Sequence, residues 1–178
     1  ARVNAVLILG DLNDTEVTGE GTPLPIPYPW LVGMVIAPSA SYPDAMKIAA
    51  MNGLRRYAES GILPANKKDE LSKLMMGIVT QESPPGGRTL EGHNWMRLSA
   101  AQVLAALGSP GKDNNVVKAF EKVIADSGQR ASFRCEMAEC LGKLQITKES
   151  NVDYQALTNL LGHQAVDLCK GEIAAAKS

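Results

Sequence analysis

One stretch limits what this chain can fold into more than any other: His93-Asn94-Trp95-Met96-Arg97-Leu98-Ser99-Ala100-Ala101-Gln102-Val103-Leu104-Ala105-Ala106-Leu107. At about 100° per residue, His93, Met96, Ala100, Val103, Leu104 and Leu107 fall on one helical face. Leu98, Ala101 and Ala105 form a second apolar face nearly opposite. A helix at a protein surface carries one such stripe; a helix with two has to be covered on two sides. The small residues of the second stripe let a neighbouring helix come close. Gly108-Ser109-Pro110-Gly111 then stops the helix, with glycine at the usual C-terminal position and proline just beyond.

The same pattern recurs along the chain. Arg97, Ala100, Leu104, Ala105 and Leu107 are matched by Arg2, Ala5, Leu9, Gly10 and Leu12. A third copy is Lys47, Ala50, Leu54, Arg55 and Tyr57, and a fourth is Arg134, Met137, Leu141, Gly142 and Leu144. Successive copies lie 45, 50 and 37 residues apart, which suits a helix pair per repeat with loops of unequal length. Alanine and leucine are common, so chance is the competing explanation. The Leu-Gly-x-Leu shared by two copies weighs against it.

Arg2-x-x-Ala5-x-x-x-Leu9-Gly10-x-Leu12 and Arg134-x-x-Met137-x-x-x-Leu141-Gly142-x-Leu144 resemble the second helix of HEAT (armadillo-like) repeats. The resemblance touches every copy and therefore most of the chain; it speaks to fold and is nearly silent on function. It implies an all-α protein, a right-handed α-α superhelix of about nine helices. It makes residues 1–178 a single HEAT-like repeat domain, with second helices near 1–12, 43–60, 93–107 and 131–144. A capping helix is expected near 153–176, where Lys170, Glu172 and Lys177 suit an array end. The resemblance also implies that the basic residue of each copy pairs with an acid in the preceding turn. Glu91 would serve Arg97 and Asp126 would serve Arg134, although the two offsets differ. Because Ala1 already sits inside a helical pattern, the chain is expected to be a fragment of a longer protein.

Composition agrees with helix. The 178 residues are 45% hydrophobic but only 4% aromatic, with abundant Ala, Leu and Met, which favours helix over sheet. Between the copies, Pro23, Pro25, Pro27 and Pro29 alternate in a loop over 13–29 that Gly19 and Gly21 help to break, and an extended connector is expected there. A short apolar helix follows over Trp30–Ile36. Leu71, Leu74, Met75 and Ile78 stripe another helix, and Val116, Val117, Phe120, Val123 and Ile124 a third. Leu157, Leu160, Leu161, Ala165, Leu168 and Ile173 stripe the last, which is expected to bend or divide at Gly162 or Gly171.

Catalytic and metal signatures are not evident. Gly108-Ser109-Pro110-Gly111-Lys112 resembles a phosphate loop, but Ala106 stands where its first glycine belongs and Asp113 where its Ser or Thr belongs. A capping turn is the reading that remains. There is no His-Glu-x-x-His and no paired Cys-x-x-Cys, so no cofactor and no metal is expected. His93 is read as a ring packed or bonded to its loop, and His163 as a surface or capping residue. Cys135, Cys140 and Cys169 read as reduced residues. The acid pairs Asp11 with Asp14 and Glu136 with Glu139 read as solvated faces.

Projecting the free face of the second helices gives the candidate partner surface. It holds Asn4 and Asp11, then Asn52 and Arg56, then Trp95, Ser99 and Gln102, then Glu136, Glu139 and Lys143. Trp95 is about 140° from the core direction, so it is either covered by the loop before it or an exposed anchor, and the covered reading is preferred. Two bases against three acids on this line, with a net charge of −1, weigh against a phosphate backbone. No apolar run reaches the ~20 residues of a membrane span. The expectation is a non-enzymatic scaffold that binds a protein or peptide, including another domain of its own parent chain, on its concave face. The alternatives are a nucleic-acid-binding or DNA-modifying helical module and a structural spacer.

Overall fold

The computed structural model describes residues 1–14 and 21–175, without the side chains of Glu172, Ala174 and Ala175; Gly19 and Lys177 lie outside the described residues. Among these there are eight α-helices and no strand, where about nine helices are expected: α1 (Arg2–Asp11), α2 (Pro27–Ile36), α3 (Asp44–Glu59), α4 (Ala65–Val79), α5 (Leu90–Leu107), α6 (Asn115–Ala125), α7 (Ala131–Gly142) and α8 (Tyr154–Ala175). They divide into two compact units, Ala1–Leu107 and Gly108–Ser178.

Local chemistry accounts for where several helices start. α2 opens at Pro27, three residues before the apolar run, because proline in the first turn lacks only an N–H that would find no partner there. The alternating-proline connector is correspondingly shorter than expected. Its described ends pair as an antiparallel bridge between Asn13 and Pro23, with Leu24 N–H donating to the Leu12 carbonyl at 2.9 Å. α5 begins at Leu90, three residues before its stripe, because the Thr89 hydroxyl accepts the Gly92 N–H at 3.1 Å. α8 runs without interruption through Gly162 and Gly171.

In the first unit α3 packs against both α1 and α5, while α2 covers α3 and α4 covers α5. Both stripes of α5 are buried, Met96, Ala100, Val103 and Leu104 on one side and Leu98, Ala101 and Ala105 on the other. α1 and α3 cross backbone to backbone. A Cβ on Gly53 would stand 2.9 Å from the Gly10 Cα and 2.9 Å from Leu31 Cδ1, and one on Gly10 would stand 2.7 Å from the Gly53 Cα. Of the repeated leucines, Leu54, Leu104 and Leu141 are buried and Leu9 is half-buried.

The repeated basic residue has a common task. Arg97 Nε donates to the carbonyl of Val79, the last residue of α4, at 2.9 Å. Arg134 Nε donates to the Ile124 carbonyl in the last turn of α6 at 2.7 Å. Lys47 Nζ donates to the carbonyl of Ala37, which follows α2. A cation on these carbonyls satisfies groups that the helix leaves open and meets the negative end of its dipole. Each Nε or Nζ thus meets the carbonyl end of a helix.

In the second unit α6 packs on α7 and α8, and α7 on α8. Val116, Val117, Phe120, Val123 and Ile124 of α6 are all buried, as are Phe133, Met137, Cys140 and Leu141 of α7. α8 lays down a half-buried row, Leu157, Leu160, Leu161 and Leu168, around buried Gln164; Ala165 and Ile173, placed on its stripe by the sequence, are exposed.

Candidate functional site

Seven of the ten site residues projected from the sequence lie in the first unit. Asn52 is exposed on α3 and borders a cleft of about 320 Å³ that α1 and α3 share, together with Asp11, Arg55, Arg56 and Glu59. The Arg56 guanidinium is already occupied. Its NH1 donates to the carbonyls of Gly10 at 3.2 Å and Leu12 at 3.4 Å, and its NH2 to the Gly21 carbonyl at 2.9 Å and the Asn13 side chain. Arg56 therefore closes the C-terminus of α1, as the repeated basic residues close other helices. Its guanidinium is turned toward the chain's own carbonyls.

On α5 the three projected residues separate. Trp95 is 57% exposed, which removes the preferred reading that the preceding loop covers it. Ser99 is buried, and its hydroxyl donates to the Trp95 carbonyl at 2.9 Å. It cannot belong to a free face: the small hydroxyl is satisfied by its own helix, so Ser99 joins the close-packing residues. Gln102 is partly exposed. The remaining three residues lie in the second unit on α7. Glu136 is exposed, and Lys143 Nζ contacts the Glu139 carboxylate at 2.6 Å in an exposed pair one turn apart. That hydrogen bond holds the Glu139 carboxyl below its usual value.

One polar cluster of the first unit was not singled out by sequence. Arg88, in the loop between α4 and α5, grips Asp44 at the start of α3 with two hydrogen bonds of 2.6 and 2.7 Å. The Arg88 bond keeps the Asp44 carboxyl below the usual carboxylate range. Beside it His93 is fully buried, with Nε2 2.7 Å from the Gln81 carbonyl and Nδ1 3.5 Å from Arg88 NH1. A carbonyl can only accept, so Nε2 carries the proton and Nδ1 faces the guanidinium as an acceptor. Burial lowers the His93 pKa from its ordinary value, against the Gln81 hydrogen bond, which favours the proton. The cluster ties the loop to two helices and presents no nucleophile to solvent. The sequence did identify His93 as a ring bonded to its loop. The clue to the rest was a lone acid at a helix start and a lone arginine in a glycine-rich loop.

In the second unit the Gly108–Lys112 segment is a capping turn, with Gly111 N–H donating to Ser109 Oγ at 3.1 Å and Val116 N–H to the Pro110 carbonyl at 3.2 Å. Among the described residues, no three His, Cys, Asp or Glu side chains gather as metal ligands, and no helix is long and apolar enough to cross a membrane. No family model, curated protein or solved structure matches the chain.

Proposed function

We propose that α1, α3, α5 and α7 are second helices of HEAT-like repeats, that the first unit follows the right-handed α-α superhelical path of that architecture, and that the protein is a non-enzymatic scaffold for a protein or peptide partner. The partner surface is the face of α3 and α5 that carries Asn52, Trp95 and Gln102. One observation supports it above the rest: Trp95 is 57% exposed on a helix from which eleven other side chains are buried. A large aromatic left in water on so enclosed a helix is the kind of residue that anchors interfaces. Ser99, bonded to its own helix, and Arg56, bonded to the end of α1, act in this reading as supports for the surface rather than contacts.

The test is a selection of peptides on the full chain, followed by measurement of the winners on the Trp95→Ala protein. Loss of an interface anchor of about 2 kcal/mol weakens affinity about 30-fold. Because the ring is exposed, the thermal midpoint should stay nearly unchanged. Selected peptides that bind Trp95→Ala as tightly as the parent would remove this face from the proposal.

A further inference from the structure

We propose that His93 is a proton-operated latch on the loop over residues 80–89: when the ring takes up a second proton, this loop opens while α3, α4 and α5 stay packed. The ring sits at both ends of the loop. Its Nε2 donates to the Gln81 carbonyl at 2.7 Å, just past α4, and its Nδ1 lies 3.5 Å from Arg88 NH1, just before α5. Between these points Glu82, Ser83, Pro85, Gly86 and Gly87 are exposed and Pro84 is partly so. Gly87 takes a φ of +83°, where glycine moves freely. A segment this exposed is held by its ends more than by its own packing.

The neutral ring fits this position and the charged ring does not. With its one proton on Nε2, the ring turns a lone pair toward the guanidinium. With two, Nδ1–H meets an N–H donor and the contact becomes repulsive. The surroundings add to the cost. α3 brings Asp44 and Lys47, the loop brings Arg88 and α5 brings Arg97, so three cations surround one carboxylate. Burial opposes the second proton most; the Gln81 carbonyl and Asp44 favour it, and Arg97 and Arg88 oppose it. Glu82 on the loop and Glu91 on α5, the acids of those segments, are exposed. The geometry also decides which cation yields. Arg97 is buried with its Nε on the Val79 carbonyl at 2.9 Å, and Lys47 is buried with its Nζ on the Ala37 carbonyl. Arg88 is carried by an exposed loop and can swing outward, leaving the Asp44 carboxylate to offset the imidazolium.

The test follows the His93 ring nitrogens and the backbone amides of the full chain by NMR, from about pH 7.5 down to acid unfolding. As the ring takes its second proton, the order parameters of Glu82, Ser83, Gly86, Gly87 and Arg88 should fall below about 0.6, at the midpoint of the ring's own titration. Over the same range Met96–Leu104 should stay near about 0.85. His93→Gln keeps a side-chain donor and cannot take a charge, so its loop should hold the same order at every pH. In Arg88→Gln the ring should take its second proton at higher pH, because the cation facing it is gone. A ring that stays neutral until the unit unfolds overturns the proposal. So does a loop that keeps its order beside a charged ring, or one that loses it together with Met96–Leu104. Opening that persists unchanged in His93→Gln overturns it as well. The comparison of loop, ring and α5 in the unsubstituted chain decides the matter even where a variant fails to fold.

Discussion

α5 and α8 are both long and rich in leucine and alanine, at 18 and 22 residues, yet they are held in opposite ways. α5 lies against α3 and α4 and buries eleven side chains. α8 lies against α6 and α7, and among its described residues Gln164 is the buried one. Total apolar content does not separate the two helices. Where the small residues fall does. Ser99, Ala100, Ala101 and Ala105 surround α5 with short side chains, so two neighbours approach at once. On α8 the outer positions are filled by Ala165, Val166 and Ile173, which are exposed.

Leucine truncation should separate the helices most. Leu104→Ala, at a fully enclosed position, is expected to cost about 2–5 kcal/mol. Leu160→Ala, at a half-buried one, is expected to cost about 1 kcal/mol. Urea unfolding followed separately in each unit measures both, and equal losses would erase the distinction. Glycine substitution should give opposite signs. Gly53→Ala forces a Cβ to within 2.9 Å of the Gly10 backbone and should destabilise the first unit by about 1–3 kcal/mol. Gly162→Ala meets nothing within 4 Å and should stabilise α8 by about 0.5–1 kcal/mol.

Polar burial offers a finer contrast. Among the described residues the Gln164 Oε1 is buried without a hydrogen-bond partner, so Gln164→Leu should raise the stability of the second unit by about 1 kcal/mol. A loss of stability there would mean that this amide does more than fill space. His93 is satisfied only while neutral. Its proton is held more weakly in the folded chain than in the unfolded one, so the first unit keeps its full stability above the ordinary imidazole value of 6.5. It then loses stability as pH falls through the lowered folded value. Melting curves from about pH 7.5 to 5 should show this decline, and His93→Gln should flatten it.

The double stripe of α5 was legible because two apolar faces on one helix admit a single packing solution. The stripes of α4 and α6 were legible for the simpler reason that each is a single apolar row at helical spacing. Helical phase could not assign the partner face residue by residue. It placed Ser99 and Trp95 together, but one turn along α5 is the distance between a close-packed hydroxyl and an exposed ring. It placed Arg56 on the same surface, although a long side chain can fold back to the nearest open carbonyls. The matched glycines were also misleading as a pair: Gly10 is pressed against Gly53, while Gly142 has nothing within 4 Å. Sequence similarity recorded the same letter for a backbone crossing and for an open helix end. The Asp44–Arg88 bridge of that cluster joins residues 44 positions apart, and no local pattern announces such a closure.

The most direct measurement is native-state hydrogen exchange across α5 and α8 in the full chain. If enclosure on two faces is what organises the first unit, the Met96–Leu104 amides exchange only through complete unfolding of that unit. Those of α8 should open locally at far lower cost, and Leu104→Ala should lower the α5 barrier by its whole stability loss. Amides of α5 that exchange through local opening, as readily as those of α8, would contradict the claim.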